Sequence, residues 1–260
     1  MSTIKNIILI HPTKCAGTTI SKRILKLKGY SDFKSKIYSG YNFNLFFQKN
    51  IKFFHFIIHT KNLMFLPTYI IFYIICLFFA LRNSLHTHKF GLTFLEGSYQ
   101  HLTYRQLKNK GIIHNKSITI TIIRHPQERI VSAYYFLGYH YYYNFIEFLE
   151  RIKNGCLTSS IIFIGYKAII QQHITPMYEH IIDDSKKVCV DFILRNESLD
   201  ADWKKMCHLY SLKYKPLNHI NKTKNKQDWK SLYKKYPKAS QVVYDLYKKD
   251  FEYFNYKIYY

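Results

Sequence analysis

Residues 7–25 read Ile7-Ile8-Leu9-Ile10-His11-Pro12-Thr13-Lys14-Cys15-Ala16-Gly17-Thr18-Thr19-Ile20-Ser21-Lys22-Arg23-Ile24-Leu25. Four apolar residues form a short strand, small residues with one lysine form a loop, and Ile20 and Ile24 begin a helical spacing. The first N–H groups of such a helix have no intrahelical partner, and its dipole favours negative charge at that end. Lys14 adds a point charge, Ala16 is small, Gly17 permits close backbone approach, and Thr18 and Thr19 add hydroxyl donors. The stretch reads as a phosphate or sulfate seat at the front edge of an α/β sheet. It is not a Walker A loop, because Lys14 precedes Gly17 rather than following it. Taken alone it fits an ordinary strand–helix turn equally well.

A second junction of the same kind lies at Ile122-Ile123-Arg124-His125-Pro126-Gln127-Glu128-Arg129-Ile130-Val131-Ser132-Ala133-Tyr134-Tyr135. The β-branched run Ile118–Ile123 predicts a buried strand within Lys116–Ile123. Pro126 suits the first turn of a helix, and Glu128 favours its positive end, so a helix from Gln127 to about Leu137 is expected. Arg124 at the strand's end can hold a phosphate bidentately, and Ser132 can donate to the same group. Pairing of Arg124 or Arg129 with Glu128 or Glu197 is the alternative. Two strand-end anion sites in one sheet suit a ligand with two separated anionic groups.

Further strands and helices follow. Leu92–Leu95 and Val188–Leu194 read as strands. Leu102–Leu107, Phe145–Lys153, Tyr166–Ile182, Asp200–Leu209 and Lys238–Phe254 read as helices, the last two around a Lys-rich loop. Alternation of strands and helices predicts a parallel sheet with helices on both faces, in one domain spanning residues 1–260. Within it, residues 43–89 form a hydrophobic insert after a connecting loop at Lys28–Tyr41. Leu63–Leu81 holds 19 residues without a charge, roughly 28 Å as a helix and about the thickness of a bilayer core. A membrane helix, a hairpin with Phe43–Ile58, or a buried core helix all fit that composition. A single crossing would separate the two anion motifs across the membrane, so a re-entrant or surface-lying insert is the expectation.

The two motifs together resemble those of sulfotransferases that use 3′-phosphoadenosine 5′-phosphosulfate (PAPS). His11–Thr19 looks like their 5′-phosphosulfate loop, and Ile122–Tyr135 like their 3′-phosphate motif, with Arg124 and Ser132 on the phosphate-binding positions. The branch it resembles is that of the membrane-linked carbohydrate sulfotransferases and their bacterial and viral relatives. Gln100-His101-Leu102-Thr103, Asp191–Leu199 with Asp202-Trp203, Leu217–Thr223 and Asp250-Phe251 extend the resemblance over most of the chain except Phe43–Lys89. Cys15 and His125 depart from it. The resemblance implies a P-loop-NTPase-like α/β fold and transfer of a sulfuryl group from PAPS to a hydroxyl or amine, with a carbohydrate as default acceptor and no metal. Lys14, Ala16, Gly17, Thr18, Thr19, Arg124 and Ser132 would hold the nucleotide. Lys14 would also stabilise the leaving phosphate, and His101 would take the acceptor's proton, with Glu96, His11 and His125 as rival bases. Asn221, Lys222 and Thr223 either close over the nucleotide or form a solvated loop. A P-loop nucleotide kinase or NTPase, and a non-catalytic membrane-associated relative, are the competing readings.

Composition bounds these readings. The chain carries a net charge of +23, from 32 Lys and 7 Arg against 16 acidic residues, with 13 histidines. The lysines are spread along the chain rather than set in one block, which fits amino-acid bias and argues against a nucleic-acid partner. An acidic acceptor and an anionic membrane surface remain compatible. Five scattered cysteines without a CxxC pair give neither a zinc site nor a disulfide framework. Sequons at Asn115, Asn196 and Asn221 matter only in a secretory lumen. No secretory signal is read at the N-terminus, so membrane association through residues 43–81, or otherwise a cytoplasmic location, is expected.

Overall fold

The computed structural model describes residues 6–27, 101–159, 170–217 and 228–260. In chain order the elements are β1 (Asn6–Ile10), α1 (Gly17–Leu27), α2 (Tyr104–Asn109), β2 (Ser117–Ile123), α3 (Pro126–Phe136), α4 (Phe145–Lys153), α5 (Cys156–Ser159), α6 (Met177–His180), β3 (Phe192–Arg195), α7 (Leu199–Leu209), α8 (Trp229–Lys235), α9 (Lys238–Leu246) and α10 (Lys248–Phe254). The expected strand Leu92–Leu95, the insert at 43–89 and Leu63–Leu81 lie outside the described residues. Among the described residues no helix is long and apolar enough to cross a membrane.

The three strands form a parallel sheet in the order β1-β2-β3. Ile10 pairs with Thr121, and Ile123 with Arg195, so all three strands end at one edge. That edge carries the first loop, Arg124-His125, and the turn Asn196–Ser198. Parallel pairing therefore brings together segments more than 100 residues apart, at the edge where open α/β sheets bind ligands. The central strand is buried along six of its seven residues, as its unbroken Ile/Thr run requires. One apolar cluster joins the sheet to α1 and α7 through Ile20, Ile24, Trp203 and Met206. A second joins α3, α4, α8, α9 and α10 through Ile130, Phe145, Phe148, Tyr233, Val243 and Phe251.

Four expectations are corrected. Asp191 delays the third strand: its carboxylate accepts the Thr119 N–H and hydroxyl, both at 2.7 Å, so pairing begins at Phe192 while Val188 only bridges Ile182. Pro176 interrupts the helix expected to run to Ile182, leaving helical residues 170–174 and the separate α6. The Lys-rich stretch contains α8, capped by Asp228, whose side chain accepts from Lys230 N at 3.2 Å and which buries Leu232 and Tyr233. The C-terminal helix breaks at Tyr247, whose hydroxyl donates to Ile174 O at 2.9 Å. The break lets Asp250 accept the Met177 and Tyr178 N–H groups at 2.9 and 2.7 Å, at the start of α6.

Candidate active site

The first loop turns by alternating the sign of φ. Lys14 and Ala16 both have φ near +63°, while Cys15 and Gly17 do not take positive values. Successive N–H groups in such an alternation converge on one concave point, an arrangement that binds anions. Thr19 N–H donates to Ala16 O at 3.0 Å and closes the turn into α1. Lys14, Ala16 and Thr18 are partly exposed, whereas Cys15 and Thr19 are buried. The Cys15 thiol faces Thr13 O and Met177 Sδ, at 3.4 and 3.6 Å, and burial pushes it up to about 12. The departure at Cys15 is therefore a core contact. Gly17 is required for a different reason than close ligand approach: a Cβ there would overlap the imidazole of His11.

The second motif grips the first. Arg124 donates to Lys14 O and to Glu128 Oε1, each at 2.8 Å, so the internal pairing left open by the sequence is the one present. Two of the five guanidinium donors are thereby used, and Nε is buried with no hydrogen-bond partner. Arg129, 1% exposed, donates to Thr13 O at 3.1 Å, His173 O at 3.3 Å and Thr175 O at 2.6 Å. Glu197 instead accepts from His125 N–H at 2.6 Å and from the Tyr256 hydroxyl at 3.1 Å. Glu128, Ser132 and Phe136 follow Arg124 at four-residue steps and so share one stripe along α3. Ser132 is partly exposed on it. At the far end of that stripe the Lys14 ammonium sits 4.0 Å from the centroid of the Phe136 ring.

Four rings continue the arc. Phe136 stacks on His173, with centroids 4.7 Å apart and planes at 10°. His173 lies edge-on to His101 at 6.3 Å, and His101 lies 4.9 Å from His11. His101 Nδ1 is 3.0 Å from the carbonyl of His11. A carbonyl only accepts, so Nδ1 carries the proton and Nε2 keeps its lone pair. Burial lowers His101 to about 4, opposed by this hydrogen bond and reinforced by Lys14 and Arg129. Burial, then His101, His180, His173 and Lys14, hold His11 well below the usual imidazole range. His180, 2% exposed with neither ring nitrogen partnered, is lowered to about 3 by burial, Arg129 and His101. Burial and then Arg124 lower Lys14 to about 8, partly offset by Cys15.

The structure thus gathers Lys14, Ala16, Gly17, Thr18, Arg124 and Ser132 along the first loop and the α3 stripe, with His101 beside them. Of the rival bases, His125 is turned away: its Nε2 donates to Lys257 O at 2.9 Å and its ring stacks on Trp229. Glu96 lies outside the described residues, as do Asn221, Lys222 and Thr223. Phe136, His173 and the clamp made by Arg129 are additions that sequence reasoning missed. Phe136 had one signal, its place three four-residue steps beyond Arg124. Among the described residues no group of three or more His, Cys, Asp or Glu side chains is arranged to hold a metal ion. Residues 1–257 match the model of the Sulfotransferase family. No curated protein and no solved structure matches the chain.

Proposed function

The chain belongs to the sulfotransferase family, and from that premise we propose that it moves a sulfuryl group from PAPS to a hydroxyl or amine, by default on a carbohydrate. The observation that carries this reading is the φ-alternating loop at the end of β1, clasped by Arg124 and flanked by His101. The loop N–H groups and Lys14 receive the 5′-phosphosulfate, and Arg124 with Ser132 receives the 3′-phosphate. Ala16, Gly17, Thr18 and Thr19 shape the seat. Because Arg124 already shares its charge with Glu128, its remaining donors, Nε included, are the ones left for phosphate.

Transfer is in line. The acceptor oxygen approaches sulfur as the bond to the bridging oxygen breaks, and negative charge grows on that oxygen. Lys14 neutralises it. The acceptor's proton passes to His101 Nε2, the nitrogen left basic by the bond from Nδ1 to His11 O. The high positive charge of the chain favours an acidic acceptor. The hydrophobic insert at 43–89 would bring the enzyme to a membrane surface.

The test is binding of PAP, the desulfated product. PAP at about 100 times its Kd stabilises by about 2.7 kcal/mol and raises the melting temperature by several degrees. Lys14→Ala and Arg124→Ala abolish the shift. His101→Ala leaves the shift intact and lowers turnover at least a hundredfold. A folded wild-type protein with no PAP shift overturns the donor assignment, and unchanged turnover in His101→Ala overturns the base.

A further inference from the structure

Resting on the reading above, we propose that His11 is a third functional side chain of the site, a neutral hydrogen-bond donor to the sulfuryl oxygens during transfer. Its place follows from β1. It is the first residue beyond the strand and precedes the φ-alternating loop by three positions. Its ring lies over the start of α1, in the space that a Cβ at residue 17 would fill. The first turn of α1 and the loop N–H groups make that end the positive side of the seat. His11 is partly exposed.

His11 acts on the site in two ways. Its carbonyl fixes the tautomer of His101, and its imidazole lies 4.9 Å from the His101 ring. One residue therefore orients the base through its carbonyl and packs its imidazole near the base's ring. The groups facing His11 are His101, His173, His180 and Lys14, together with the helix N-terminus, and none of them favours a second positive charge. The imidazole stays neutral and keeps one N–H. A neutral donor suits the sulfuryl group, over whose three oxygens charge is spread in the transition state, and it gives up no proton there. The balance is complete without His11 changing state. The bridging oxygen keeps the electron pair of the broken S–O bond, the acceptor oxygen forms the new one, and the released proton goes to His101.

The test uses His11→Ala, His11→Gln and the double variant His11→Ala/Gly17→Ala, with PAP binding and the rate of PAPS hydrolysis, water being the acceptor, as readouts. The donor role predicts a roughly 100- to 1,000-fold loss of turnover in His11→Ala, with PAP affinity within about threefold of wild type. His11→Gln, whose amide keeps an N–H, recovers at least tenfold of that loss. The double variant, whose methyl group refills the vacated space, stays as slow as His11→Ala. Turnover of His11→Ala within threefold of wild type overturns the proposal. So does restored turnover in the double variant, which would make His11 a packing residue, or no recovery in a folded His11→Gln. A PAP affinity that falls as far as turnover does so too. A wild-type protein that neither binds PAP nor hydrolyses PAPS removes the donor reading itself, an outcome distinct from these.

Discussion

Lys14 gives the sharpest handle on the site, because its surroundings move its titration into an accessible range. The ammonium rests against the face of Phe136, and the charge that acts on it most is the like charge of the Arg124 guanidinium. Burial and that like charge lower it to about 8. By the titration curve, Lys14 is then about 90% charged at pH 7 and about 10% charged at pH 9. If only the charged form holds the 5′-phosphate, affinity for PAP falls about tenfold between those pH values, with about 0.9 proton taken up on binding at pH 9. The phosphates themselves contribute little between pH 7 and 9, since their second ionisation has its midpoint near pH 6 and is about 90% complete by pH 7. In Lys14→Arg the guanidinium cannot deprotonate in this range, so the break disappears even if absolute affinity drops.

Calorimetric titration with PAP from pH 6.5 to 9.5, in two buffers of different ionisation heat, measures both affinity and proton uptake. An affinity flat to pH 9.5 refutes the reasoning, as does the same break persisting in Lys14→Arg. The latter would place the ionising group elsewhere. The proposed mechanism predicts that the same lysine sets the alkaline limb of kcat/KM near 8 and His101 the acid limb near 4, since kcat/KM reports the free enzyme.

Gly17→Ala drives a methyl group into the His11 ring and costs roughly 1–3 kcal/mol in denaturant titration, a cost relieved in the His11→Ala background. Arg129→Met strands the carbonyls of Thr13, His173 and Thr175 and costs about 3 kcal/mol or more by the same assay, with loss of PAP binding. Stability falls as pH drops from about 6.5 towards 4. His11, His101 and His180 are held neutral in the fold but protonate when unfolded, so the unfolded state binds more protons across that window. Asp250, raised to about 6, works in the opposite direction, its folded form binding a proton first. Three imidazoles against one carboxyl leave a net loss, measurable as melting temperature against pH; a melting temperature flat from pH 7 to 4.5 contradicts it.

The strand–loop–helix junctions were legible because their signals are local. An apolar run ends, a small or cyclic residue follows, and helical spacing begins; both strands and both helices lie where this predicts. The positive φ at Lys14 and Ala16 was hidden because neither residue is glycine, the usual marker. Gly17, read as room for a ligand, answers to a side chain six residues earlier. His173 and Phe136 meet across 37 positions, and Arg129 reaches Thr13 across 116, contacts that only tertiary folding creates. The choice of Arg124 between phosphate and Glu128 was likewise undecidable from spacing, since both the strand-end position and the i,i+4 pair are present in the sequence.

These long contacts explain how the loop keeps its shape. Two non-glycine residues in the left-handed region cost about 1–2 kcal/mol each, and such strain persists only where neighbours over-determine it. Here the neighbours are the two arginines of the second motif, which hold the carbonyls of Thr13 and Lys14. Hydrogen bonds from charged donors contribute about 1.5–3 kcal/mol each, enough to offset the strain. With the carbonyls turned towards Arg124 and Arg129, the alternating backbone is free to present its N–H groups on the opposite side. The second motif is therefore the clamp on the first loop. On the proposed reading Arg124 also holds the 3′-phosphate, so Arg124→Ala is expected to disturb the loop at Lys14 as well as that end of the nucleotide.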